Sequence, residues 1–201
     1  MTNFPETRIS LILRLAHPQD VAAWQEFVDV YAPAVYRLAK LKGMQAADAE
    51  DLTQETLFGV ARAIDRFRPD VDRARFRTWL SRIARNLIAD HFAGRAKRPL
   101  SQAISDSWLD DLTHDDGISE DAEFESEYRQ SVFRVAANKV AQRVSATVWE
   151  AFEATAVRGQ PAEQIAAQLG MSLGGLYVAR CRVLKMLRSE VEQMEQAEAL
   201  R

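Results

Sequence analysis

One cysteine, Cys181, in 201 residues leaves no disulfide framework and no cysteine metal site, which fits a reducing compartment. The three histidines, His17, His91 and His114, are scattered, so neither a metal centre nor a cofactor is expected. No apolar run approaches the ~20 residues needed to cross a bilayer. The opening MTNFPETRISLILRL has only a short apolar run with no small-residue cleavage site after it, and a cytoplasmic location is the expectation. Glycine-rich phosphate loops and nucleophile elbows are both absent from the sequence, so no enzymatic activity is expected. Glycine and proline are scarce, at 8 and 6, and no segment alternates as a strand does. The sequence predicts an all-α chain, long enough to bury a core without covalent staples.

What is present is charge in blocks. The net charge of −3 hides 16 basic and 12 acidic side chains in residues 1–98, and ten basic and seven acidic in residues 129–201. Between them, residues 99–128 hold ten acids (Asp106, Asp110, Asp111, Asp115, Asp116, Glu120, Asp121, Glu123, Glu125 and Glu127) and no Lys or Arg. That strip lacks sustained periodicity and repels itself. It reads as a linker with little fixed structure beyond a short helix near Trp108. The organisation expected is therefore a helical domain over 20–98, an acidic linker over 99–130 and a second helical domain over 131–194.

Within the first domain, Trp24, Phe27, Val28, Tyr31, Val35, Leu38 and Ala39 recur at three and four, predicting an amphipathic helix from Val21 that stops at Gly43. A second helix is expected from Asp48, with Asp51 completing a capping-box-like start, to a stop before Pro69. RPDVDRAR reads as a loop, and FRTWLSRIARNLIADHF as a third helix ending around Gly94. In the second domain, Val132 to Val157 has a helical pattern that Gly159 ends, followed by two short helices joined at LGMS.

That last pair carries the strongest local signal. Pro161 suits a first helical turn, Ala166 is small where two helices cross, Gly170 permits a left-handed turn, and Ser172 caps the next helix. Ile165, Leu169, Leu176 and Ala179 supply the seam. This is the grammar of a helix-turn-helix, whose second helix enters the DNA major groove. Tyr177, Arg180, Arg182, Lys185 and Arg188 are its outward or neighbouring polar residues. A plain helical hairpin with solubilising cations is the competing reading.

Two further stretches are less decisive alone. Asp48, Asp51 and Glu55 share a face at i, i+3 and i+7, with Gln54 nearby. No histidine neighbours them in sequence, and a solvated, dipole-favoured face explains them unless a basic partner helix docks there. From Arg66 to Arg98, ten basic residues face three acids. At about 100° per residue, Phe76, Leu80, Ile83, Leu87 and His91 fall in one apolar sector. Arg75, Arg82 and Asn86 gather opposite, with Trp79 on the boundary, either core or a stacking surface. Cations beside boundary aromatics are what single-stranded nucleic acid requires.

In order, these pieces resemble a bacterial RNA polymerase sigma factor of the sigma-70 family, extracytoplasmic-function (ECF) group. DAEDLTQETLFGVARAIDRF resembles its core-polymerase-binding segment, FRTWLSRIARNLIADHFAGRAKR its promoter-melting and minus-ten-reading segment, and GQPAEQIAAQLGMSLGGLYVARCRVLKMLR its minus-thirty-five-reading helix-turn-helix. The chain departs from the pattern in lacking a proline in RVSATVWEAF and in a recognition helix less rich in Lys and Ser. With neither an extended N-terminal region nor a third domain in the sequence, the ECF group is the expectation. The resemblance implies that Asp48, Asp51, Gln54 and Glu55 dock on core RNA polymerase. It assigns Arg75, Trp79, Arg82, Arg85, Asn86, Arg95, Lys97 and Arg98 to melted minus-ten DNA, and Ser172, Tyr177, Arg180, Arg182 and Lys185 to duplex minus-thirty-five DNA. It sends the acidic linker toward the RNA path and adds an anti-sigma factor as a candidate partner. A stand-alone helix-turn-helix regulator and a helical adaptor are the alternatives.

Overall fold

The structure, a computed structural model, describes residues 9–67, 76–94 and 122–195. All regular structure among them is helical, in two compact units whose boundary falls between Ser131 and Val132. The first unit holds α1 (Ile9–Leu15), α2 (Val21–Leu41), α3 (Ala46–Ala63) with a closing 3-10 turn over Ile64–Arg66, α4 (Phe76–Phe92) and the opening half of α5 (Ala122–Ala141). The second holds the rest of α5, then α6 (Ala146–Phe152) with a wider π turn over Glu153–Val157, α7 (Ala162–Gln168) and α8 (Leu173–Glu195).

The first unit starts before the expected boundary at residue 20. Leu11, Ile12 and Leu15 of α1 are buried, and Arg14 ties α1 to the start of α2. The Asp20 Oδ1 atom accepts from the Ala23 N–H at 2.9 Å, capping α2, while Arg14 donates to both carboxylate oxygens at 2.7 and 2.9 Å. The Arg14 hydrogen bond, helped by the Ala23 N–H, lowers the Asp20 pKa to about 2. At its other end α2 closes as the sequence predicts. Gly43 takes φ 91°, its N–H bonds to the Lys40 carbonyl, and the Met44 N–H reaches back to the Ala39 carbonyl, a pairing that needs a left-handed residue at the turn. Helix α3 opens at Ala46 rather than Asp48. Its cap residue, Gln45, makes no side-chain capping bond, so the capping box does not form and Asp48 instead lies in the first turn, where the helix dipole favours an acid.

Helices α2, α3 and α4 pack on one another around Phe27, Tyr31, Leu38, Val60, Phe76, Leu80 and Ile83, all buried. Each such side chain contributes about 1.5–3 kcal/mol by leaving water. Trp79 belongs to this core, which corrects its assignment to a stacking surface. It is 1% exposed, with its ring 4.9 Å from that of Phe67 and 5.6 Å from that of Phe76. The helix is covered on more than one side. Phe67, beyond the 3-10 turn, meets Trp79, while α5 covers Arg77 on the other flank.

That covering corrects the linker as well. Residues 122–130, expected to be unstructured linker, lie in the first half of α5 and belong to the first unit. Phe124 and Tyr128 are buried, and the Tyr128 ring stacks on Tyr31 at 5.2 Å. Of the ten acids, three are structural counter-ions. Glu125 accepts from Arg77 Nε at 2.6 Å, Glu127 from Arg37 Nε, and Glu123 from Lys42 Nζ. Arg37 also donates to the Glu127 carbonyl and the Ser131 hydroxyl. The Arg77 guanidinium lies 4.8 Å from the Tyr128 ring centroid. Burial works to lower the Arg77 pKa, but the Glu125 hydrogen bond and charge, with Tyr128 and Tyr31 behind them, raise it overall. The other seven acids and the helix expected near Trp108 lie outside the described residues.

In the second unit the single helix expected from Val132 to Val157 is two. The chain breaks after Ala141, and Ser145 caps α6 by accepting from the Val148 N–H, so a serine starts the helix where the family pattern has a proline. Buried Glu190 of α8 takes Arg143 from that break.

Candidate functional site

Three surfaces carry the residues singled out from sequence. On α3, Gln54, Asp51 and Glu55 are exposed and Asp48 is half-buried. Sequence gave this face no histidine, but the fold supplies one: His91, near the end of α4, puts Nε2 3.8 Å from Asp48 Oδ2. The Glu55 pKa is raised, by burial first and by the Asp51 charge second, against the pull of His91. Phe58, not picked out from sequence, shares this face. It stands at i+7 from Asp51 and i+3 from Glu55 and is 53% exposed. The available signal was that spacing, which puts an aromatic on the acidic face. The surface offers a carboxylate row with one apolar anchor, suited to a basic helix. Among the described residues no group of His, Cys, Asp and Glu could hold a metal ion.

The second surface is the part of α4 left open by its neighbours. Arg85 is exposed, and Arg82 and Asn86 are half-buried. These three share a strip at i, i+3 and i+4, so a guanidinium pair and an amide able both to donate and to accept lie along one side. The Arg85 Nη2 atom is 3.4 Å from Glu123 Oε2. Arg75, Arg95, Lys97 and Arg98 lie outside the described residues, and Trp79, being core, is not part of the strip.

The third surface is α8 with its turn. Pro161 stands one residue before α7 as its cap. Gly170 takes φ 63°, its N–H on the Ala167 carbonyl, and the Met171 N–H closes on the Ala166 carbonyl at 2.9 Å. Ser172 Oγ then accepts from the Gly175 N–H at 3.0 Å, leaving its hydroxyl hydrogen free to donate. Ile165, Ala166 and Leu176 form the crossing, with Ala151 and Ala154 beneath. Tyr177, Arg182 and Lys185 are exposed and Arg180 half-buried. At about 100° per residue, Arg180 and Arg182 stand on opposite flanks of α8, with Tyr177 and Lys185 between them. Val178 and Leu184 add exposed apolar surface, and Cys181 is exposed among them.

The family description "Sigma-70 region 2" matches residues 27–98, which include the α3 face and the α4 strip. The ECF RNA polymerase sigma factor SigE of Mycolicibacterium smegmatis is 32% identical over 153 residues, covering 76% of this chain and 55% of SigE. The chain thus spans about half the length of that relative. The RNA polymerase sigma factor CnrH of Cupriavidus metallidurans is 26% identical over 200 residues, covering 94% of this chain and 99% of CnrH. A solved structure of CnrH in complex with the cytosolic domain of CnrY aligns at a TM-score of 0.37 and 21% identity, over 92% of this chain and 96% of that one. No helix among the described residues is long and apolar enough to cross a membrane. With region 2 matched across the α3 face and the α4 strip, residues 27–98 carry a sigma-70 region 2, and the chain is similar to RNA polymerase sigma factors, ECF ones among them.

Proposed function

We propose that the chain acts as an ECF sigma factor. It docks on core RNA polymerase through the α3 face, holds melted minus-ten DNA on the α4 strip and reads the duplex minus-thirty-five element with α8. The observation that carries this reading is the exposed Asp51, Gln54, Glu55 and Phe58 row, inside the segment matched by sigma-70 region 2. A stand-alone regulator needs the helix-turn-helix but has no use for that row. The chemistry the surfaces offer is recognition, by charge, amide edges and ring faces, and the role proposed is that of an initiation factor in the cytoplasm rather than an enzyme. An anti-sigma factor belongs to the same proposal. Exposed Tyr177, Val178 and Leu184 give α8 an apolar strip beside its cations, which a protein seated there would mask.

The test is co-elution with core enzyme. Asp51→Arg combined with Gln54→Ala touches only exposed side chains, so stability should stay within about 0.5 kcal/mol of the parent, while core binding weakens. Loss of run-off transcription should accompany it. Unchanged co-elution and transcription by a folded variant would refute the docking assignment.

A further inference from the structure

The ion pairs between α5 and the rest of the first unit are not alike, and their difference suggests a use. Two are built into the core. Arg77 and Glu125 have side chains only 5% and 19% exposed, and Arg37 with Glu127 is similarly covered. These pairs are hard to open, because removing one partner strands a buried charge. Glu123 differs. Its side chain is 49% exposed and its Oε2 atom serves two cations at once: Lys42 at 2.5 Å, and Arg85, itself 45% exposed, at 3.4 Å. The buried pairs fix α5 against the unit, and the helix dipole favours an acid in its first turn, so Glu123 is delivered to Arg85 by a rigid element rather than by chance encounter.

We infer that Glu123 is an intramolecular stand-in for a nucleic-acid phosphate, holding Arg85 in the DNA-free protein and yielding it when single-stranded DNA arrives on the α4 strip. The inference rests on the reading of Arg85 as a nucleic-acid contact. A phosphate oxygen offers Arg85 the same kind of acceptor as the carboxylate, and DNA adds the release of condensed counter-ions, which Glu123 cannot match. The exchange costs little because both partners stand at the solvent rim, where an ion pair is weak. Its effect is selectivity: a weakly bound strand must displace Glu123, whereas one held along the strip at several points displaces it readily.

The experiment is a double-mutant cycle on the full chain, with Glu123→Gln, Arg85→Gln and the pair. Each is titrated with a fluorescein-labelled, mixed-sequence single-stranded deoxyoligonucleotide at low and high salt, and circular dichroism checks the fold. Removing a competing exposed ion pair should tighten binding of the Glu123→Gln protein roughly 1.5- to 5-fold at low salt, with the gain shrinking as salt screens it. The gain should vanish when Arg85 is glutamine, so that Arg85→Gln costs more in the Glu123→Gln background than in the parent. Equal binding by Glu123→Gln and the parent, with Arg85→Gln weaker, overturns the stand-in while leaving Arg85 as a contact. A gain that persists without Arg85 overturns it as a general charge effect. If Arg85→Gln is no weaker in either background, the assignment of Arg85 itself fails, and the stand-in with it.

Discussion

Replacing Trp79 by alanine removes a side chain that is 1% exposed and packed between Phe67 and Phe76. A truncation of that kind in a closed core costs about 3–5 kcal/mol, part lost transfer energy and part cavity. In a unit of this size each kcal/mol moves the midpoint by roughly 4–8 °C, so the first unit should melt about 12–40 °C lower. Phenylalanine at the same position is a sharper probe. The buried Trp79 Nε1–H meets no hydrogen-bond acceptor among the described residues, a situation that costs about 1–3 kcal/mol. Trp79→Phe gives up ring volume but also removes that unsatisfied donor, so the two effects offset and the variant should melt within about 10 °C of the parent. Thermal unfolding followed by circular dichroism reads both variants, and pre-melted bubble promoter DNA bound by the reconstituted holoenzyme gives the second measurement. If Trp79 is core, bubble binding by the folded Phe variant stays near that of the parent. A Trp79→Ala protein that melts like the parent but loses bubble binding would refute the core assignment and restore Trp79 as a stacking surface.

On α8, alanine at Tyr177, Arg182 and Lys185 together should weaken duplex binding. Loss of a phosphate contact weakens all sequences alike and flattens the salt dependence, whereas loss of a base contact relaxes one position; unchanged upstream-element binding and salt slope would show that another face reads DNA. Asp20, with its pKa lowered from 3.8 to about 2, adds stability that is fully present above its ordinary value and lost as pH falls through the folded one. Asp20→Asn keeps a capping oxygen but drops the charge, so the gap in unfolding midpoint between parent and variant should close from about pH 5 to about pH 2, and a constant gap would refute the linkage.

How much of this could be read from sequence depended on whether the determinants were local. The helix-turn-helix was legible because its instructions sit within a dozen residues: a proline at the entry of α7, Gly170 at φ 63°, and Ser172 bonded to the Gly175 N–H. The stop at Gly43 was legible for the same reason. Trp79 was not. It lies about 60° around α4 from Phe76, at the edge of any single apolar sector, and its burial depends on Phe67, which arrives from beyond the end of another helix. His91 beside Asp48 was hidden likewise, because 43 residues of sequence separate two side chains that α3 and α4 bring to 3.8 Å. Of the α4 candidates, Arg82, Arg85 and Asn86 came out along one strip, as their spacing predicts.

The acidic segment shows why composition misleads when partners are distant. Ten acids without a cation repel one another in isolation, and that repulsion is sound physics for a solvated chain. It fails for residues 122–130 because the compensating cations lie on α2, at its C-terminal cap and on α4, some 40 to 90 residues earlier: Arg85 and Lys42 for Glu123, Arg77 for Glu125, Arg37 for Glu127. The excess of base in residues 1–98 and the excess of acid after it are, over this stretch, two halves of one electrostatic match. Apolar spacing gave the missing hint. Phe124, Tyr128, Val132 and Ala136 recur every fourth residue through the acids and beyond them, and all four are buried. A run of carboxylates threaded by such a stripe behaves as a helix waiting for a basic surface. Charge statistics and periodicity then disagree, and here packing decided for periodicity, because Phe124 and Tyr128 leave water, Glu125 and Glu127 meet buried guanidinium partners, and Glu123 pairs at the exposed edge.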